Sequence, residues 1–218
     1  MPATLKVVTI YTANFGDYDT AQEPGEKHPY ADYLLFSDRV ASLRGWQQFI
    51  SQQDLSAVRE ARRRKCLSHL YSDTEYSIWH DANIMLLANP IGLCEMLGDA
   101  ELMVFSHPYR ACLYDEADTC IKLGKEEREI LNAQITAYRA EGYPPDNGLC
   151  ETGLLIRRHT EAIIRFNEMW WAEIEAGSYR DQVSFNYAVW KTGIGFKMIA
   201  GSLKRSPILK YSGRHNGQ

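Results

Sequence analysis

Short apolar runs rich in β-branched residues alternate along the chain with amphipathic stretches of helical period. Residues 5–11, 33–36, 46–50, 76–80, 101–106, 149–159 and 196–200 read as strands, most of them closed by Gly, Pro, Asn, Asp or Ser. The helical period recurs over residues 56–71, 90–97, roughly 115–141, 160–175 and 179–190. In the fourth of these, Ile163, Ile164, Phe166, Met169 and Trp170 form a core-facing stripe. Strands alternating with helices predict an α/β domain with a central mixed, mostly parallel sheet flanked by helices. No internal repeat or low-complexity segment divides the 218 residues, so one domain over 1–218 is expected.

The pattern breaks most informatively at Ile78-Trp79-His80-Asp81-Ala82-Asn83, where a buried strand ends in an Asp-x-Asn triplet. Residues two apart on a strand share a face, so Asp81 and Asn83 present two oxygen-bearing side chains together. Carboxylate and amide oxygens suit a hard divalent cation, Mg²⁺ or Mn²⁺, that completes its shell with water and nucleotide phosphates. The same triplet also closes ordinary turns.

Other polar residues fall at the ends of predicted strands, where open α/β sheets bind nucleotides. The loop Thr12-Ala13-Asn14-Phe15-Gly16-Asp17-Tyr18 follows the first strand and offers Thr12 and Asn14 to a base or ribose. Asp38 closes the second strand, either as a donor contact or as a cap. On the helix over 56–71, Arg62, Lys65 and His69 share one face that suits a diphosphate or a solvated surface, while Cys66, Leu67 and Leu70 face inward. His107 and Arg110 follow a further strand and suit sugar hydroxyls or phosphate. Glu116 opens the long helix, where the dipole alone favours acids. Glu151 sits in a Glu-x-Gly step near an acceptor hydroxyl, and Asp181 in the first turn of the helix over 179–190 is a cap or an active-site carboxylate.

Composition narrows the classes. A net charge of −4 with 24% charged residues does not make a surface for nucleic acid or an anionic membrane. No apolar run reaches the length of a membrane span, and the first residues lead into a strand with too short an apolar run for a signal peptide. Five cysteines, odd in number and without a C-x-x-C pair, imply reduced thiols and a cytoplasmic setting.

The ordered set of the Thr12–Tyr18 loop with its preceding Tyr11, Arg62/Lys65/His69, Ile78 to Asn83, His107-Pro108-Tyr109-Arg110, Glu116, Gly153 to His159 and Arg180-Asp181-Gln182 resembles a glycosyltransferase-like family with a TOD1/MUCI70-type domain. It is also similar to small GT-A domains of some viral glycosyltransferases. The resemblance spans most of the chain and implies a GT-A (Rossmann-like) fold, a nucleotide-sugar donor, a glycan or other hydroxyl acceptor, and Mn²⁺ or Mg²⁺ at an Asp-x-Asp position, here Asp81-Ala82-Asn83. The third residue departs from that pattern, since the amide of Asn83 ligates without charge or contacts the sugar instead. The resemblance further implies a C-terminal His ligand, for which His215 is the candidate, and places Asp181 beside the reacting centre.

These readings converge on a metal-dependent glycosyltransferase. Its donor contacts are Thr12, Asn14, Asp38, Arg62, Lys65, Asn83, His107 and Arg110; its metal ligands are Asp81, Asn83 and His215. Asp181 serves as base or sugar-orienting carboxylate, with Glu151 as the competing base. Two other classes use the same residues: a binding module without catalysis, and a nucleotide-sugar phosphohydrolase in which Asp81, His107 and Asp181 activate water.

Overall fold

The structure, a computed structural model, describes residues 5–213. In chain order the strands are β1 (Val8–Asn14), β2 (Ala31–Ser37), β3 (Gln47–Ile50), β4 (Tyr76–His80), β5 (Ile84–Leu86), β6 (Leu102–Ser106), β7 (Cys150–Arg158), β8 (Phe196–Ile199) and β9 (Leu209–Tyr211). The helices are α1 (Ala57–Cys66), α2 (Pro90–Glu95), α3 (Leu113–Lys122), α4 (Arg128–Ala140), α5 (Glu161–Ala176) and α6 (Asp181–Thr192). Seven strands form one sheet in the order β3-β2-β1-β4-β7-β6-β8. β7 runs antiparallel to both its neighbours, and the remaining pairings are parallel. This is the mixed, mostly parallel α/β sheet that the alternation predicts.

Side-chain alternation along the strands builds two cores. Tyr11 and Trp79 point to the face covered by α1, α5 and α6, while Ile10 and Ile78 point to the opposite face, towards Leu93 and Leu97. α5 starts where Thr160 accepts a hydrogen bond from the Ile163 N–H at 3.2 Å, and it buries Ile163, Phe166, Trp170 and Ile174 at helical spacing. A third cluster joins α3, α4 and α6 through Leu113, Ile135, Tyr138 and Tyr187. All five cysteines are free and buried. No helix among the described residues is long and apolar enough to cross a membrane.

The topology decides where polar side chains meet. From β1 the chain winds through β2 to β3 on one side, then returns to place β4 on the other side of β1. Such a reversal opens a crevice outside the carboxyl ends of the two diverging strands. Because β7 is antiparallel, its first residues arrive at the same edge as the last residues of β4. Opposite β6 the register jumps, with Val104 facing Leu155 but Phe105 facing Glu151, so residues 152–154 have no partner on that side.

Several expected boundaries move. The helix over 115–141 is two helices, because Gly124 adopts φ +62° and its neighbours close a Schellman pair, Lys125 N–H to Cys120 O and Gly124 N–H to Ile121 O. The helix over 56–71 stops at Cys66 and passes into a 3-10 turn at Ser68–Leu70, which leaves Leu70 exposed instead of inward. The stretch beyond β8, which shows no strand pattern of its own, contains β9, which pairs antiparallel with β5 directly after the Asp81 turn.

Leu155 is fully buried at the centre of the sheet. Leu155→Ala is expected to cost about 2–5 kcal/mol of stability, as measured by urea unfolding, with a preserved far-ultraviolet spectrum.

Candidate active site at the carboxyl ends of the parallel strands

Asp81, Ala82 and Asn83 form a tight turn between β4 and β5, held on all sides by backbone hydrogen bonds. Asp81 N–H donates to Gly153 O, Gln22 N–H to Ala82 O and Ser212 N–H to Asn83 O, each at 2.9 Å. Three segments distant in sequence therefore fix the turn at the β1/β4 crevice. Asp81 Oδ1 accepts from the Trp79 indole at 3.0 Å and from Lys65 Nζ at 3.3 Å. Oδ2 faces the bare Cα of Gly153, where a Cβ would lie 3.2 Å away.

Lys65 is the hub. Its ammonium, 1% exposed, also reaches Thr152 Oγ1 at 3.2 Å and Asp181 Oδ2 at 2.5 Å. Thr152 donates to the same Asp181 oxygen at 2.8 Å, and Arg62 lies 3.3 Å from the other. Asp181 is thus saturated with cations and donors at the start of α6, whereas the Asp81 side chain stays 34% exposed. Burial alone would raise the Asp181 pKa, but Arg62 and Lys65 outweigh it and hold the carboxyl far below the usual range. Burial likewise disfavours charged Arg62, and the Asp181, Asp81 and Asp19 carboxylates more than offset it.

The structure brings together Arg62, Lys65, Asp81 and Asp181 as a single ion-pair cluster. Asn83 joins its margin, 3% exposed, with its amide nitrogen 3.4 Å from Asp19 Oδ1. Asp19 also lines a cleft of about 290 Å³ at the ends of β1 and β2, together with Asn14, Asp17, Thr20, Ser37 and Arg39. The Asn14 amide clasps the Asp19 backbone through two hydrogen bonds, at 2.9 and 3.1 Å. Glu151 sits one residue before Thr152, with Oε2 accepting from Leu203 N–H at 3.2 Å. Its pKa is raised, first by burial and also by the nearby Asp81 charge.

Other candidates stand apart. Thr12 is buried within β1, and its hydroxyl has no hydrogen-bond partner among the described residues. Asp38 accepts from the Gly16 N–H and from Gln53, bracing the loop after β1. His69, carried off the face of α1 by the 3-10 turn, meets Asn167 and lies 4.0 Å from Glu168. His107 accepts from the Tyr109 and Arg110 N–H groups, and Arg110 pairs with buried Glu116 at 2.5 Å. Glu116 is therefore half of a buried ion pair and not only a dipole-matched acid. His215 lies outside the described residues.

Asp19 and Thr152 emerge only here. The sequence signal for Asp19 is its place just beyond the polar loop after β1; Thr152 carries none, since its role comes from the register jump. Asp81, Asn83 and Asp19 carry carboxylate and amide oxygens of the type that hard divalent cations accept, and the Asn83 amide turns its nitrogen, not its oxygen, towards Asp19 Oδ1. Among the described residues, a compact group of three His, Cys, Asp or Glu donors occurs elsewhere, at Cys112, Asp115 and Asp146, within 4.8 Å of one another. Two of those three are exposed.

The depressed Asp181 pKa sets a pH dependence. Its ion pairs contribute fully above the unfolded-state pKa, about 3.9, and are lost as pH falls below it. Asp181→Asn, which takes a carboxylate from buried Lys65 and partly buried Arg62, is expected to cost about 3–5 kcal/mol at pH 7. In urea unfolding the gap between wild type and variant narrows below pH of about 4.

Comparison with known proteins gives a family match over most of the chain. The TOD1/MUCI70, glycosyltransferase-like domain family matches residues 50–204, a span that includes α1, β4, the Asp81 turn, β7 and Asp181. A protein named probable hexosyltransferase MUCI70, from Arabidopsis thaliana, is 24% identical over 140 residues, covering 59% of this chain and 24% of that protein. A protein named alkaline ceramidase TOD1, also from Arabidopsis thaliana, is 28% identical over 138 residues, covering 56% of this chain and 29% of that protein. The matched regions thus span less than a third of either relative. With the family's match running through every element of the ion-pair cluster, the chain belongs to the TOD1/MUCI70 glycosyltransferase-like family.

Proposed function

We propose that this domain transfers a glycosyl group from a nucleoside diphosphate donor to an acceptor hydroxyl, in a GT-A arrangement. The observation that carries the reading is the pairing of buried Lys65 and partly buried Arg62 with Asp81 and Asp181 at the β1/β4 crevice, beside a cleft of nucleoside size. The hexosyltransferase name of one relative supports the reaction class, and the single antiparallel strand β7 within the parallel sheet supports the fold assignment.

In this reading the cleft at Asn14, Ser37 and Arg39 takes the nucleoside, and the diphosphate extends towards Asp19 and Asp81. Asp81, Asn83 and Asp19 would hold a Mn²⁺ or Mg²⁺ ion, and a cation bound there neutralises charge on the leaving diphosphate. Arg62 and Lys65 supply fixed positive charge already ordered before the donor arrives, which is the form in which electrostatics lowers a barrier.

The two carboxylates divide the remaining work. Asp181 is held ionised by two cations, which makes it a weak base and suits it to orient Arg62 and Lys65. Glu151 has a raised pKa and uses Oε2 for its hydrogen bond from Leu203, so its other oxygen is the better proton acceptor for an incoming hydroxyl. The ceramidase name of the other relative keeps a hydrolytic reaction as a second reading, in which Glu151 serves water instead.

Titration calorimetry with Mn²⁺ and uridine or guanosine diphosphate, followed by assay for transferred against free sugar, tests this. Metal-dependent nucleotide binding in wild type and its loss in Asp81→Ala are expected; nucleotide affinity unchanged in Asp81→Ala would refute the site. Glu151→Gln is expected to lower turnover by about 10²–10⁴ with donor affinity retained. Gly153→Ala, which crowds Asp81 Oδ2, should weaken Mn²⁺ binding by about 10–100-fold while the fold survives.

A further inference from the structure

We infer that Arg157 is a positioning residue for Lys65, acting through the last turn of α1; its importance for donor binding rests on the function proposed above, while the structural coupling does not. Arg157 lies on β7, opposite Ser77 of β4 and Leu102 of β6, and is 0% exposed. Its Nη1 donates to the Lys65 carbonyl at 2.8 Å and to the Tyr11 hydroxyl oxygen at 3.0 Å. Tyr11 in turn donates to the same carbonyl at 3.3 Å. A triangle of two donors thus closes on one backbone oxygen.

That oxygen belongs to the final turn of α1, where carbonyls lack partners within the helix. The guanidinium has no carboxylate among its ion-pair or hydrogen-bond partners in the described residues, and its Nε and Nη2 have no partner. A buried cation in that state is costly. The negative end of α1 and the Trp170 ring, 5.8 Å away, offset part of the cost. Burial pushes the Tyr11 phenol up to about 12 even against the Arg157 charge, so Tyr11 remains a donor at neutral pH.

The consequence lies on the other side of the helix end. Lys65 points its ammonium between Asp81, Thr152 and Asp181, and those contacts need its Cα held in one place. The backbone on which that side chain stands is tied through Arg157 to β7, the strand that also carries Thr152 and Gly153. Arg157 therefore links the cation to the two sheet positions that complete its surroundings, without touching substrate.

The test uses ¹⁵N NMR of the whole protein, following the Lys65 side-chain ammonium and the Trp79 indole N–H that donates to Asp81. Variants are Tyr11→Phe, which removes one donor, and Arg157→Lys, which keeps charge but loses the fork. In folded variants with cooperative unfolding, hydrogen exchange of the Lys65 ammonium is expected to accelerate about tenfold, as for loss of one net hydrogen bond, and the Trp79 signal to shift. Both signals unchanged in folded Arg157→Lys would overturn the inference; where Arg157→Lys fails to fold, both signals unchanged in folded Tyr11→Phe, which takes away one of the two anchors of Arg157 Nη1, would do so. Mn²⁺ titration of wild type separates the two claims: absence of broadening at Trp79 counts against the metal site and leaves the coupling between Arg157 and Lys65 standing.

Discussion

A single buried ammonium organises this molecule's chemistry. Lys65 Nζ lies within hydrogen-bond distance of Asp81, Thr152 and Asp181, which come from the end of β4, the register jump of β7 and the start of α6. A lysine that is 1% exposed is tolerable only with its charge matched, and two carboxylates do so. Arg62 then balances the second carboxylate. The cluster is mutually dependent, so removing any member unbalances its two positive and two negative charges.

The scaffold makes this cluster possible by bringing unlike elements to one edge. Parallel β1 and β4 end together, and antiparallel β7 begins there. The turn at Asp81 is clamped by backbone bonds from Gly153, Gln22 and Ser212, so its carboxylate is oriented by main chain as well as by Trp79 and Lys65. Asp81 alone keeps substantial exposure while Asp181 is sealed. That asymmetry separates an outward carboxylate, suited to a cation, from an inward one suited to holding arginine and lysine in place.

Membership of the TOD1/MUCI70 glycosyltransferase-like family rests on a match through the elements that build this cluster. The names of its relatives include a hexosyltransferase and a ceramidase, so reaction type follows from the site and not from the family alone. The site sets two cations, balanced by two carboxylates, beside a cleft.

The sequence by itself determined the α/β alternation, the buried strand ending at Asp81, the helix that carries Arg62 and Lys65, and the placement of Asp181 in a first turn. Those features are local, written in hydrophobic period and in the residues that close each element. It also spelled out the resemblance on which the family assignment is built. Tertiary structure alone decided that Asp181 meets Lys65, that His69 leaves the cationic face, that Arg110 is taken by Glu116, and that Thr152 and Asp19 join the site. The physical reason is range: helix and strand periods act over a few residues, whereas Lys65 and Asp181 lie 116 residues apart and meet only once the sheet order and the antiparallel strand bring their elements to one edge.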